Sequence, residues 1–245
     1  MQTLEKCFAD YRMSNFGLVG KLVYQDKPEI LDIYPESDEA AQVVRDLESL
    51  AISSGLQKKL TDMLFKKFNS MSNINNSILE VCGGNCWLLR SAVAHATAKG
   101  LRIHAVGSDL SKQHVVSNQE RFPNASIEWI VADATRLLFR DHEFDLVINC
   151  QALHHFQPML VIEILKELNR VARKVVIFDL RRTVYGSTFV KLLTPFYSKS
   201  FISDGIASHR RAYSISEMKY LIQAAGLPYI VKPFTPVGMI VESIQ

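Results

Sequence analysis

The stretch SILEVCGGNCWLL, Ser77 to Leu89, runs from an apolar strand pattern through Glu80 and the pair Gly83-Gly84 into a helical pattern. A buried strand that breaks at glycine and re-enters as a helix is how a nucleotide-binding turn begins, because the bare backbone and the helix amides can approach a ligand closely. Two positions where such a turn usually carries glycine hold Cys82 and Cys86 instead. A residue other than glycine at positive φ costs on the order of 1–3 kcal/mol, so weakened rather than abolished binding is the expectation.

Working outward, apolar strand patterns at 78–81, 102–108, 127–132, 144–150 and 173–179 alternate with helical patterns at about 87–99, 111–121 and 158–172. The strands are almost continuously apolar, as in sheets covered on both faces. Such alternation predicts a Rossmann-like doubly wound α/β sheet. About seven strands are expected, mostly parallel, with an antiparallel strand among the C-terminal pair at 229–234 and 237–241 that follows a helix near 214–225. Upstream, residues 1–76 read as an irregular arm and a helical cap, with apolar residues at helical spacing over 40–50 and 56–68 and a polar linker, MSNINNS, at 71–77. The core then spans 77–245, with 180–213 as a substrate-covering insertion.

Composition excludes more than it assigns. The 245 residues carry 28 basic and 25 acidic side chains without a long basic cluster, which argues against a nucleic-acid surface. Neither a membrane span nor a signal peptide is read, and a cytoplasmic protein is expected. The four cysteines, at 7, 82, 86 and 150, form no disulfide framework. No further ligands stand near Cys82 and Cys86, so no metal site is expected.

Ligands of open parallel sheets bind beyond the carboxyl ends of the strands. Those ends carry Glu80 to Gly84, Asp109, Asp133, Cys150 to His155, and Asp179. Asp109 can accept hydrogen bonds from a ribose diol, and Asp133 can orient a base.

On these residues the chain resembles the class I S-adenosylmethionine-dependent methyltransferases from about Leu79 to Asp179. LEVCGGNC resembles the first motif of that family, with Glu80 at its acidic position and Gly84 at its central glycine; Cys82 and Cys86 replace the outer two. VGSDLS resembles the second motif, VADATRLLF the third, and FDLVINCQALHHF the fourth-strand motif. The resemblance implies S-adenosylmethionine as cofactor, bound by Glu80, Cys82, Gly83, Gly84, Asp109, Leu110, Asp133, Ala134, Cys150 and Gln151. The tail, with DLRR at 179–182 and SDGIASHRRAYS at 203–214, is similar to the lid region of small-molecule methyltransferases of quinone and polyketide pathways.

The implied reaction is methyl transfer to a hydroxyl of an aromatic or polyketide-like small molecule. It needs mainly alignment of the acceptor with the methyl group, helped by a base. The candidates for catalysis are His154, His155 and His209, each of which also reads as structural or solvated. Arg181, Arg182, Arg210 and Arg211 read as surface or as binders of an acidic substrate. Tyr185, Phe189, Phe196, Tyr197 and Phe201 read as a helix face or an aromatic pocket. A nicotinamide dehydrogenase fits the glycine pattern poorly, and no Tyr-x-x-x-Lys pair occurs. The remaining alternative is a methyltransferase-like scaffold or complex subunit without activity. Oligomeric state is not legible.

Overall fold

The computed structural model describes residues 24–34, 36–69 and 76–244. Cys7, most of the N-terminal arm and residues 71–75 of the polar linker lie outside them. The elements in chain order are α1 (Ile30–Ile33), α2 (Asp38–Ser53), α3 (Leu56–Asn69), β1 (Ser77–Val81), α4 (Trp87–Ala98), β2 (His104–Asp109), α5 (Lys112–Arg121) and β3 (Ile127–Val131). Then come β4 (Phe144–Cys150), a 3-10 turn (Leu153–His155), α6 (Pro158–Val171), β5 (Ala172–Leu180), α7 (Gly186–Lys191), α8 (Lys199–Arg211), α9 (Ile215–Ala225), β6 (Tyr229–Thr235) and β7 (Gly238–Ser243).

The strands form one sheet in the order β3-β2-β1-β4-β5-β7-β6. All pairs from β3 to β5 are parallel, and β7 runs antiparallel to both β5 and β6. The expected doubly wound sheet is therefore present, with the chain direction reversed in one strand only. Strand periodicity explains how its two faces are covered. Leu79, Val147 and Ile177 point into a core shared with Leu165 and Leu168 of α6 and Leu221 of α9. Their neighbours Ile78, Leu146, Ile148 and Val176 face Leu60 and Leu64 of α3 and Leu88 and Leu89 of α4. Alternate side chains of a strand serve opposite faces, so a fully apolar strand is what two covered faces demand.

Sheet order places the ends of β1 and β4 side by side at the centre, where helix connections leave in opposite directions. This is the crevice in which an open α/β sheet takes its ligand. A third cluster roofs that end: Val43 of α2, Val190 of α7, and Phe201 and Ile202 of α8.

The expectation that the basic pairs are surface or bind substrate is corrected for Arg182, which is buried with Glu217. Its Nη2 donates to both Glu217 oxygens at 2.8 and 2.7 Å, and its Nη1 to the Ala212 carbonyl. Glu217 also accepts from the Ser214 amide, in a capping box that starts α9. Replacing Arg182 with Met should take the counter-charge from the buried Glu217 carboxylate and lower the unfolding free energy by about 3–5 kcal/mol. Urea denaturation reads this directly, and an unchanged midpoint would contradict it.

Candidate functional site

The turn after β1 is left-handed at alternate residues: φ is 53° at Cys82, 53° at Gly84 and 47° at Cys86. The two cysteines thus adopt the backbone for which glycine is the unstrained residue. Three contacts hold the turn. The Gly83 amide donates to the Ser108 carbonyl at 3.0 Å, the Cys86 amide to the Gly83 carbonyl at 2.7 Å, and the Gly84 amide to Asp109 Oδ2 at 2.9 Å. Asn118 of α5 donates to the Gly84 carbonyl from the other side.

Glu80 departs from the expectation that it binds cofactor. It is 1% exposed, beneath the turn, and its Oε2 accepts from the Leu89 amide at 3.0 Å. Cys86, the residue before α4, offers no side-chain cap, so Glu80 of the adjacent strand satisfies one of the orphan amides of the first helical turn. The Cys86 thiol donates to the same carboxyl group. Burial pushes the Glu80 carboxyl up to about 8, against the Leu89 amide, Arg90 and the Cys86 thiol, which pull it down.

Beyond the turn lies a cavity of about 250 Å³ lined by Cys82, Gly83, Gly84, Asp109, Leu110, Cys150 and Gln151, with Leu31 and Leu47 across from them. It gathers seven of the ten cofactor residues named from the sequence. The other three lie outside its walls: Glu80 for the reason above, Asp133 because its carboxylate turns back to the Thr135 amide and hydroxyl in solvent, and Ala134 because it packs into the core. Burial pushes the Asp109 carboxyl up, but the His114 imidazole 3.5 Å away and hydrogen bonds from the Ser111 and Gly84 amides outweigh it and hold the group below its ordinary value. Asp109 is therefore ionised. An ionised carboxylate has about four lone-pair sites, and the Gly84 and Ser111 amides take two.

A second cavity adjoins the first and shares Leu31, Leu47, Gln151 and His155 with it. Its body is apolar, from Leu50, Val43, Phe189, Leu193 and Phe201. Its polar end collects Glu29, His154, His155, Asp204 and His209. All three candidate histidines thus converge there. His154 is buried, with Nδ1 donating to Asp179 Oδ1 at 2.6 Å and its amide to Oδ2 at 3.0 Å. His155 Nδ1 donates to Asp32 Oδ1 at 2.8 Å. His209 lies on α8 rather than on a solvated loop. It is 1% exposed, and both ring nitrogens lack a hydrogen-bond partner. Burial pushes it down to about 4, so the ring is neutral.

The aromatic cluster divides. Phe189 and Phe201 wall the second cavity, Tyr197 packs on Phe201, and Tyr185 and Phe196 are exposed. The arginines expected to meet an acidic substrate are engaged elsewhere: Arg181 with the Pro236 carbonyl, Arg182 with Glu217, Arg210 with Gln25 and Arg211 with Asp32. Glu29 and Asp32 were not legible as site residues, because a short helix in an otherwise irregular arm carries no periodic signal. Asp179 stood among the strand ends, but its partner His154 is fixed only by the pairing of β4 with β5.

Residues 78–174 match the family described as a methyltransferase domain. The resemblance to class I S-adenosylmethionine-dependent methyltransferases, read from Leu79 to Asp179, is borne out over that span. No curated protein sequence matches the chain. Among solved structures, the plantazolicin methyltransferase BpumL, in complex with a monoazolic desmethylPZN analogue and SAH, is similar with TM-score 0.65 at 13% identity, over 96% of this chain and 99% of that one. The citrinin polyketide synthase CMeT domain gives 0.66 at 13% identity, over 88% of this chain and 59% of that one. A SAM-dependent methyltransferase from Aquifex aeolicus gives 0.54 at 15% identity, over 74% and 87%. At these identities the likeness is one of fold.

Glu80 has a consequence for stability. Its pKa is higher folded than unfolded, so between roughly pH 4.5 and 8 the native state holds a proton that the unfolded chain has released. Stability then falls as pH rises through that window, by on the order of 1 kcal/mol per pH unit, and levels off above it. Glu80→Gln should flatten the dependence of Tm on pH between 5 and 8; equal slopes in variant and parent would contradict this.

Proposed function

We propose that the protein transfers the methyl group of S-adenosylmethionine to a hydroxyl of a small, uncharged, largely apolar acceptor. One observation carries the reading: the cavity bounded by the β1 turn and Asp109 meets the apolar pocket at Gln151 and His155.

The residues of the first cavity fit the cofactor. A side chain added at Gly84 would meet nothing within 4 Å, so the turn offers open room where a ligand can lie against the backbone. Asp109 has lone pairs left for the ribose hydroxyls, and the exposed Leu110 supplies an apolar surface beside it. Cys150 and Gln151 flank the passage towards the second pocket. The structure of BpumL, similar in fold, holds SAH, which supports a cofactor of this kind. The cofactor supplies a methyl on a positively charged sulfur, so the acceptor oxygen forms its bond to carbon as the carbon–sulfur bond breaks and the electron pair stays on sulfur.

The protein's own work is alignment. Leu50, Phe189, Leu193 and Phe201 exclude water and hold the acceptor body. The neutral His209, with both nitrogens unpartnered, is placed to hydrogen-bond a second polar group of the acceptor. The polar end formed by Glu29, His154 and His155 receives the reacting hydroxyl and its proton. Among the described residues, neither arginine nor lysine lines the second cavity, which favours an uncharged molecule.

Calorimetry with S-adenosylmethionine and S-adenosylhomocysteine should show binding, and Asp109→Ala should weaken it at least tenfold, since a hydrogen bond to a charged group contributes about 1.5–3 kcal/mol. No binding at millimolar ligand would leave the inactive scaffold as the reading. The atom methylated is tested with phenols and β-dicarbonyl compounds, the product identified by NMR. A methyl on carbon would overturn the hydroxyl assignment while leaving methyl transfer intact.

A further inference from the structure

The polar end of the acceptor pocket holds an arrangement that a proton network alone leaves incomplete. Glu29, on the segment ahead of α1, is 3% exposed, and its Oε1 has no hydrogen-bond partner. That oxygen lies 3.7 Å from His154 Nε2 and 3.9 Å from His155 Nδ1. With Nδ1 held by Asp179, His154 directs Nε2 at the same region as that carboxylate oxygen. At 3.7 Å the two atoms are too far apart for a direct hydrogen bond, and the space between them can take an ion. Two ligands each about 2.1 Å from one ion stand roughly 3–3.6 Å apart, so Glu29 Oε1 must approach each imidazole nitrogen by about 0.1–0.9 Å to share an ion with it.

We propose that Glu29, His154 and His155 form a binding site for a divalent transition-metal ion at the closed end of the acceptor pocket. Ligand atoms of all three lie within 4.8 Å of one another. Asp179 orients His154 as a second-sphere carboxylate orients a metal-bound histidine. His155 exchanges its hydrogen bond to Asp32 for the ion, which leaves the Asp32 carboxylate beside it. The local charge favours a cation: Glu29, Asp32, Asp179 and Asp204 converge, while Arg211 is the cation that reaches Glu29 and Asp32. Two imidazoles and a carboxylate select zinc, cobalt, iron or manganese over magnesium or calcium. An ion there lowers the pKa of a coordinated hydroxyl, whose proton passes to water at the pocket mouth. The site stands on the coordinates alone; only this use of it rests on the proposed methyl transfer.

Titration of the whole chain with Co2+ tests it by absorption. The expected result is one ion per chain with a visible d–d band and no sulfur charge-transfer band. Glu29→Gln and His154→Gln should each abolish that band, and Asp179→Asn should weaken binding ten- to a hundredfold. S-adenosylhomocysteine affinity, measured on the same variants, reports that they are folded and should stay within threefold of the parent. Absence of cobalt binding at millimolar ion, a thiolate charge-transfer band, or a band that survives in folded Glu29→Gln and His154→Gln would each overturn the site. Cobalt binding without S-adenosylhomocysteine binding in the parent would instead defeat the methyltransferase reading and leave the metal site standing, with the folded state of the variants then read by circular dichroism.

Discussion

The hydrogen bond from the Gly84 amide to the Asp109 carboxylate ties the end of β1 to the end of β2 and so sets the geometry of the ligand cavity. Everything around it is arranged to make that bond possible. The turn must pass through the left-handed region three times within five residues, and the strain at Cys82 and Cys86 has to be offset by contacts that no extended loop would make. Glu80 beneath, Ser108 alongside and Asn118 from α5 supply them. Asp109 remains ionised despite its burial because His114 and two amides favour its charged form, and the amides leave it lone pairs for a ligand.

The two cavities divide the chemistry between the sheet and what covers it. The first cavity is built largely from strand ends, whose positions are fixed by the ladder. The second is walled by α2, α7 and α8, which pack on one another through Val43, Val190 and Phe201. Its polar end brings together residues from the arm, the 3-10 turn and α8, the first of which lies more than a hundred residues from the other two in the chain. Acceptor recognition therefore depends on tertiary packing far more than cofactor recognition does.

That difference decides what could be read in advance. The central strands β1, β2, β4 and β5 were legible because burial on both faces favours apolar runs, and the strand ends named Asp109, Gly84, Cys150 and Gln151 without knowledge of any contact. Glu80 and Asp133 share the same kind of position, yet one turns under the loop and the other into solvent, because side-chain direction depends on local partners: the Leu89 amide in the first case and Thr135 in the second. His154 and His155 were visible as residues, whereas their partners Asp179, Glu29 and Asp32 come from pairings across the fold. The surface reading of Arg182 failed for a similar reason. A charged pair in sequence says nothing of a carboxylate 35 residues on that can take it into the interior.

The thiol of Cys86 occupies the space that a side chain at Gly83 would need, and it also stands 3.1 Å from where a β-carbon at Gly107 would lie. Three positions on two strand ends therefore share one small volume. Were position 86 glycine, the nearest neighbour of a β-carbon at 83 would be Glu80 Cγ at 3.2 Å, while Trp129 at 2.8 Å would still crowd position 107. With cysteine at 86 position 83 must stay glycine, so a larger residue at 83 has to follow the loss of the thiol, and the order of replacement becomes a constraint on how this turn can diverge.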